Sequence, residues 1–132
     1  MDKIITNGMS FTDSDGRTRY FSGINTDDKL IGQKSFRYNL DEEFFKKYVS
    51  KGFNLIRLAV TWENIEPEIE KYNESYLKSI DDIFLLAEKY GVYILIDMHQ
   101  DLYSGYGGGT PGDGAPLWAS LAGGVSPKPP KY

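Results

Sequence analysis

Four side chains with chemical potential lie within or at the end of two apolar runs. Arg57 interrupts Asn54-Leu-Ile-Arg-Leu-Ala-Val60, and Asp97, His99 and Asp101 close the run that begins at Val92. Side chains alternate along a strand, so Leu55, Arg57 and Ala59 share one face while Ile56, Leu58 and Val60 share the other. By the same rule Tyr93, Leu95, Asp97 and His99 share a face. If the two strands are neighbours, Arg57, Asp97 and His99 converge near one end of the sheet. A buried arginine must be paired to be tolerated, and a carboxylate supplies charge-assisted hydrogen bonds. Two roles fit that pair: an internal salt bridge holding strands together, or a support that orients a catalytic carboxylate. His99 is the only histidine. A single imidazole serves as a structural hydrogen-bonding group or as a general base, and its place at a strand's C-terminal end points toward a site.

Other chemistries fit less well. The alternation of Asp97, His99 and Asp101 suggests metal ligands, but a catalytic zinc site usually has three protein ligands, often two of them histidine. No second histidine exists, so no native metal is expected. Gly105-Tyr-Gly-Gly-Gly109 lacks the Lys-Ser/Thr pair and the following helix of a phosphate loop, and no dinucleotide pattern links a strand to a helix. Glu63 and Glu66 are three residues apart in one polar stretch, and a solvated face accounts for them.

Composition narrows the class. With 132 residues the chain fits one domain, and its net charge of -4 offers a polyanion such as nucleic acid no general attraction. Tyr (10) and Phe (7) suit cores and sugar-ring contacts alike. The absence of cysteine excludes disulfides, thiolate zinc sites and a cysteine nucleophile. The N-terminus lacks the basic start and apolar segment of a secretory signal, and no run approaches the roughly 20 apolar residues of a membrane helix. A cytoplasmic location is the default expectation.

The elements that would position these residues follow in order. Residues 1–17 read as a leading hairpin, with Ser14-Asp-Gly-Arg17 as its turn signal, and Tyr20 to Asn25 as the first core strand. A loop with Lys29, Lys34 and Arg37 precedes a helix over Asn39 to Lys51, capped by Asn39 or Asp41 and stopped by Gly52. The nearly continuous apolar run ending at Val60 suits a strand covered on both faces. Trp62 to Tyr72 reads as a polar loop. Asn73 to Tyr90 is the clearest helix, with Tyr76, Leu77, Ile80, Ile83, Phe84, Ala87 and Tyr90 at spacings of three and four. Asn73-Glu-Ser75 carries a glycosylation pattern but reads better as a helix cap. Val92 to Ile96 is a third buried strand. Strand, helix, strand, helix, strand over residues 18–103 predicts an α/β fold with a parallel sheet and right-handed crossovers. Residues 104–132 are rich in Gly and Pro, show neither helix nor strand, and read as an active-site loop and tail.

The sequence resembles a known family. Gly52-Phe-Asn-Leu-Ile-Arg-Leu-Ala-Val-Thr-Trp-Glu63, Lys71-Tyr72, Tyr76-Leu77 and Leu86-Ala-Glu-Lys-Tyr-Gly91 look like the front of clan A glycoside hydrolases. Ile94-Leu-Ile-Asp-Met-His-Gln-Asp-Leu-Tyr-Ser104, followed by Gly112-Asp-Gly-Ala-Pro-Leu-Trp-Ala119, resembles glycoside hydrolase family 5 in its endoglycoceramidase and glycosylceramidase branch. The resemblance implies the N-terminal portion, about three β/α units, of a TIM (β/α)8 barrel. It also implies retaining hydrolysis of a β-glycosidic bond in glycosphingolipids or similar β-glycosides, without a cofactor. It assigns Arg57 to the active-site floor, His99 and Asp101 to the sugar at the cleavage subsite, and Lys29 to the same task. Tyr103 and Trp118 fall in loops around the substrate.

In that family the acid/base glutamate follows the fourth strand and the nucleophile the seventh, so neither position falls within these residues. A barrel of this kind needs about 250 residues. The chain is therefore expected to be a fragment of such an enzyme, inactive alone. The alternatives are a non-catalytic glycan-binding piece that self-associates through open sheet edges, and a metal-dependent hydrolase built on Asp97, His99 and Asp101.

Overall fold

The computed structural model describes residues 1–26, 40–101, 103–104 and 114–120. Its centre is β5 (Leu55–Val60), whose apolar run is flanked on both sides by parallel strands, β4 (Gly23–Thr26) and β6 (Tyr93–Met98). The register pairs Asn25 with Arg57, Arg57 with Leu95, and Ala59 with Asp97. Helix α1 (Glu42–Ser50) lies between β4 and β5 in the chain, and α3 (Glu74–Tyr90) between β5 and β6.

Alternation along β5 decides which face meets the helices. Ile56, Leu58 and Val60 are at most 2 % exposed and join Phe45 and Tyr48 of α1 and Ile80, Ile83 and Ala87 of α3 in one core. Full burial of each such side chain contributes about 1.5–3 kcal/mol. Arg57 is left on the opposite face, only partly buried.

Both helices start where a side chain replaces a missing partner. Asp41 accepts a bond from the Phe44 amide at 2.8 Å, and Asn73 accepts from the Tyr76 amide at 3.2 Å. The Asn73-Glu-Ser pattern is thus a cap, while Asn39, the other candidate, lies outside the described residues. Gly91 closes α3 in the left-handed conformation (φ 68°), which L side chains other than Asn adopt at a cost.

Tyr48 ties α1 to the sheet. Its hydroxyl donates to the Leu55 carbonyl at 2.6 Å and accepts from the Ile24 amide at 3.0 Å, and burial pushes its pKa up. Glycine at 23 permits this approach, since a Cβ there would stand 1.7 Å from the Leu55 oxygen.

The leading hairpin is larger than expected. β1 (Ile5–Asn7), β2 (Ser10–Thr12) and β3 (Thr18–Arg19) form a separate antiparallel sheet. Asp13 makes its turn, accepting from the Asp15 and Arg17 amides at 3.0 and 2.9 Å. The Tyr93 hydroxyl donates to the Asp2 carbonyl at 3.1 Å, so this sheet sits at the N-terminal end of β6, away from Asp97.

Four expectations change. The first core strand begins at Gly23 rather than Tyr20, which is exposed, because Thr18 and Arg19 pair with β2 instead. Trp62 to Tyr72 is not all loop: it opens with the short helix α2 (Trp62–Ile65). Within 104–132, Leu117–Ala119 forms one 3-10 turn. The third strand is not buried: Leu95, Ile96 and Met98 are 53, 50 and 59 % exposed, because β6 is an edge strand among the described residues.

Candidate active site

β5 and β6 carry their polar groups to the same, C-terminal end of the parallel sheet. There the Arg57 Nη2 stands 2.6 Å from Asp97 Oδ2, and the same oxygen lies 2.9 Å from His99 Nδ1. His99 Nε2 lies 3.2 Å from Asp101 Oδ1. A carboxylate only accepts, so this contact calls for the His99 tautomer with its proton on Nδ1. The result is one string, Arg57–Asp97–His99–Asp101, crossing two strands. Asp97 is about a quarter exposed and Asp101 about half, so the string runs from the sheet's inner face outward to solvent.

Chemically, this string offers a hydrogen-bonding wall. Its inner end is neutralised by the arginine, and its outer end presents an imidazole and a carboxylate. Carboxylates accept several bonds at once, which suits the vicinal hydroxyls of a sugar. Asp97 Oδ2 is shared by the guanidinium and His99 Nδ1, and His99 Nε2 faces Asp101, so both ring nitrogens are already engaged by carboxylates. Among the described residues no group of three or more His, Cys, Asp or Glu is arranged to hold a metal ion.

The remaining candidates divide. Tyr103 adopts φ 66° and its hydroxyl donates to the Ala119 carbonyl at 3.2 Å. Trp118 donates from its indole nitrogen to the Glu66 carbonyl at 3.0 Å and meets Trp62 edge to face, with ring centres 5.1 Å apart. Both residues follow β6, Tyr103 in a loop and Trp118 in the 3-10 turn Leu117–Ala119. Lys29 lies outside the described residues.

Glu66 corrects the sequence reading. Its carboxylate is half-buried and doubly bonded: Oε2 accepts from the Trp62 indole and Oε1 from the Glu70 amide, each at 2.8 Å. Glu63 is also half-buried, and its amide donates to the Gly114 carbonyl at 2.8 Å. The helical spacing of Trp62 and Glu66, four residues apart, was the available signal. Thr61 was missed as well. It stays extended (φ -112°, ψ 144°), continuing the face of Arg57 and Ala59, and its buried hydroxyl has no hydrogen-bond partner among the described residues.

Comparison with known proteins bears on this geometry. Residues 12–122 match the family described as cellulase (glycosyl hydrolase family 5). An endoglycoceramidase of Hydra vulgaris is 39 % identical over 97 residues, covering 70 % of this chain and 19 % of that protein. A glucosylceramidase of Aspergillus fumigatus is 35 % identical over 94 residues, covering 69 % of this chain and 12 % of that protein. The chain thus spans a fifth or less of these curated relatives. A solved endogalactoceramidase structure superposes with a TM-score of 0.79 at 27 % identity, over 94 % of this chain and 31 % of that one.

Proposed function

Because this chain belongs to glycosyl hydrolase family 5, we propose that it forms the floor of the sugar subsite in a retaining β-glycosidase acting on glycosylceramides or related β-glycosides. Its fold is the N-terminal portion of a TIM (β/α)8 barrel. In such barrels the chemistry sits at the C-terminal ends of the strands, the end where Arg57, Asp97 and His99 meet. The observation that carries the reading is the 2.6 Å pair of Arg57 with Asp97, continued at 2.9 Å to His99.

Each residue then has a task. Arg57 holds the Asp97 carboxylate fixed in direction. Asp97 fixes the imidazole by accepting from Nδ1, and His99 with Asp101 grips the hydroxyls of the sugar beside the scissile bond. Rigid placement of that ring is worth rate, because it turns collision into a set geometry. The names of the relatives, endoglycoceramidase and glucosylceramidase, support a glycolipid substrate. Tyr103 and Trp118 border the substrate, and Lys29 joins the sugar contacts.

Cleavage itself needs two carboxyl groups about 5 Å apart for retention. The family resemblance places them after the fourth and seventh barrel strands, whereas the described residues supply three, β4 to β6. The 132-residue chain alone is therefore inactive in this reading. Incubation with an aryl β-glucoside and with glucosylceramide tests it. No turnover is expected from the chain alone, and hydrolysis is expected once it is joined to a segment supplying both glutamates. Turnover by the chain alone at a rate ordinary for enzymes contradicts the proposal.

A second reading concerns the isolated chain. The exposed side chains of β6 and the 300 Å³ groove lined by Met1, Phe84, Ala87, Tyr93, Ile94 and Ile96 favour self-association at that edge. In this reading the chain is a non-catalytic glycan-binding piece. Sedimentation is expected to show oligomers, and a stable monomer at high concentration contradicts it.

A further inference from the structure

Glu66 joins two loops that leave the site end of the sheet. Its carboxylate takes the Trp62 indole N–H at 2.8 Å and its backbone carbonyl takes the Trp118 indole N–H at 3.0 Å. One residue thus fixes both rings, and the rings meet at 86° with centres 5.1 Å apart. Both tryptophans remain partly exposed. With both indole N–H groups engaged inside the protein, the surface they still present is aromatic carbon.

The same segments carry further exposed apolar side chains. Leu117, next to Trp118, is 41 % exposed, and Tyr103, bonded to Ala119 through its hydroxyl, is 49 % exposed. Ile69, inside the turn closed by the Glu70 amide on Glu66, is 64 % exposed. Aliphatic side chains interleaved with rings suit a hydrocarbon better than a stacked sugar, whose hydroxyls would find no indole donor here. Glu63, Glu66, Glu68 and Glu70 make the same stretch acidic, which disfavours an anionic lipid surface as its occupant.

We propose that Glu66 is a positioning residue that sets Trp62 and Trp118 as a platform for the hydrocarbon part of a β-glycoside's aglycone. The inference rests on the glycosidase reading and adds to it the side of the substrate that these loops receive. Neither side chain takes part in bond breaking. Their effect is on affinity for substrates with a long apolar aglycone.

The sequence contains two tryptophans, both in this pair, so tryptophan emission reports on the platform alone. The 132-residue chain is titrated with methyl, octyl and dodecyl β-glucoside, each below its micellar concentration. A saturable emission shift is expected with dodecyl glucoside, at least ~10-fold tighter than with octyl glucoside because each buried methylene adds to affinity. Methyl glucoside is expected to give none. Glu66→Gln retains an acceptor for the Trp62 indole and keeps the response; Glu66→Ala removes that acceptor while leaving the backbone carbonyl to Trp118, and weakens the response. If Glu66→Ala fails to fold by circular dichroism, Trp118→Phe serves instead, with an expected loss of affinity of at least about fivefold. An equal response to methyl and dodecyl glucoside, or an unchanged response in folded Glu66→Ala, overturns the proposal. Failure of the joined barrel to hydrolyse any β-glucoside removes the glycosidase reading while leaving the titration to stand. Loss of the chain-length dependence removes the platform while leaving aryl glucoside hydrolysis intact.

Discussion

Arg57 and Asp97 are 40 residues apart in sequence, yet their side chains meet at 2.6 Å across two parallel strands. Their Cα positions are offset, since Arg57 pairs in register with Leu95 and Asp97 with Ala59. The guanidinium therefore reaches toward the C-terminal end of the sheet, where His99 shares the same carboxylate oxygen.

Removing that carboxylate leaves a half-buried guanidinium without its partner. Asp97→Ala is expected to lower the free energy of unfolding by ~1–3 kcal/mol, and Asp97→Asn, which keeps an acceptor, by about half as much. Urea denaturation of the two variants beside the parent chain checks this. An unchanged midpoint for Asp97→Ala would mean that the pair carries no structural load.

The contact between α1 and α3 should be sensitive to acid. Glu42 accepts from Lys89 Nζ at 2.8 Å and from the Tyr90 hydroxyl at 2.7 Å. The Lys89 bond, then the Tyr90 bond, and the charges of Lys46 and Lys89 hold its pKa at about 2 instead of 4.5. A carboxyl with a depressed folded-state pKa stabilises fully above its unfolded value and loses that contribution as pH falls through the folded one. The loss thus falls between pH 4.5 and about 2. Melting temperature is expected to drop less steeply across this window in Glu42→Gln than in the parent, and parallel curves would refute the assignment.

Gly23 tests the join between the first two barrel strands. An alanine Cβ would lie 1.7 Å from the Leu55 oxygen and 3.0 Å from the Tyr48 hydroxyl, with backbone as the obstacle. Gly23→Ala is expected to cost about 3 kcal/mol or more, since neither strand can yield without breaking the other's bonds. Loss of a cooperative thermal transition, or a large fall in its midpoint, is the expected result.

Much of this architecture could be read from local pattern. The α3 stripe, its Asn73 cap and the Gly91 stop agree at every level, so that helix is found where its spacing predicts it. The alternation in β5 likewise separates Arg57 from Ile56, Leu58 and Val60, and the structure keeps that division. What failed was long-range competition. Thr18 and Arg19 have as much strand character as Gly23 to Thr26, and only their pairing with Phe11 and Thr12 decides where the core sheet begins. The exposure of Leu95, Ile96 and Met98 is a matter of neighbours too, because an apolar strand reads alike at the edge and at the centre.

At the candidate site the limit was of another kind. Asp97, His99 and Asp101 announce themselves by type and spacing, and strand geometry supplies the rest. Glu66 did not, because a glutamate in a polar stretch gives no sign that an indole 52 residues later donates to its carbonyl. Thr61 was hidden similarly, its hydroxyl left without a partner among the described residues while the Gly114 carbonyl takes the Glu63 amide.

The most direct test of the sugar-subsite assignment is steady-state kinetics on an aryl β-glucoside, using this chain joined to a barrel segment that supplies both catalytic glutamates. With His99→Ala, kcat/KM is expected to fall by ~10²–10³ while the melting temperature stays close to that of the parent. A kcat/KM within about threefold of the parent would contradict it, leaving the string from Arg57 to Asp101 as a brace between strands.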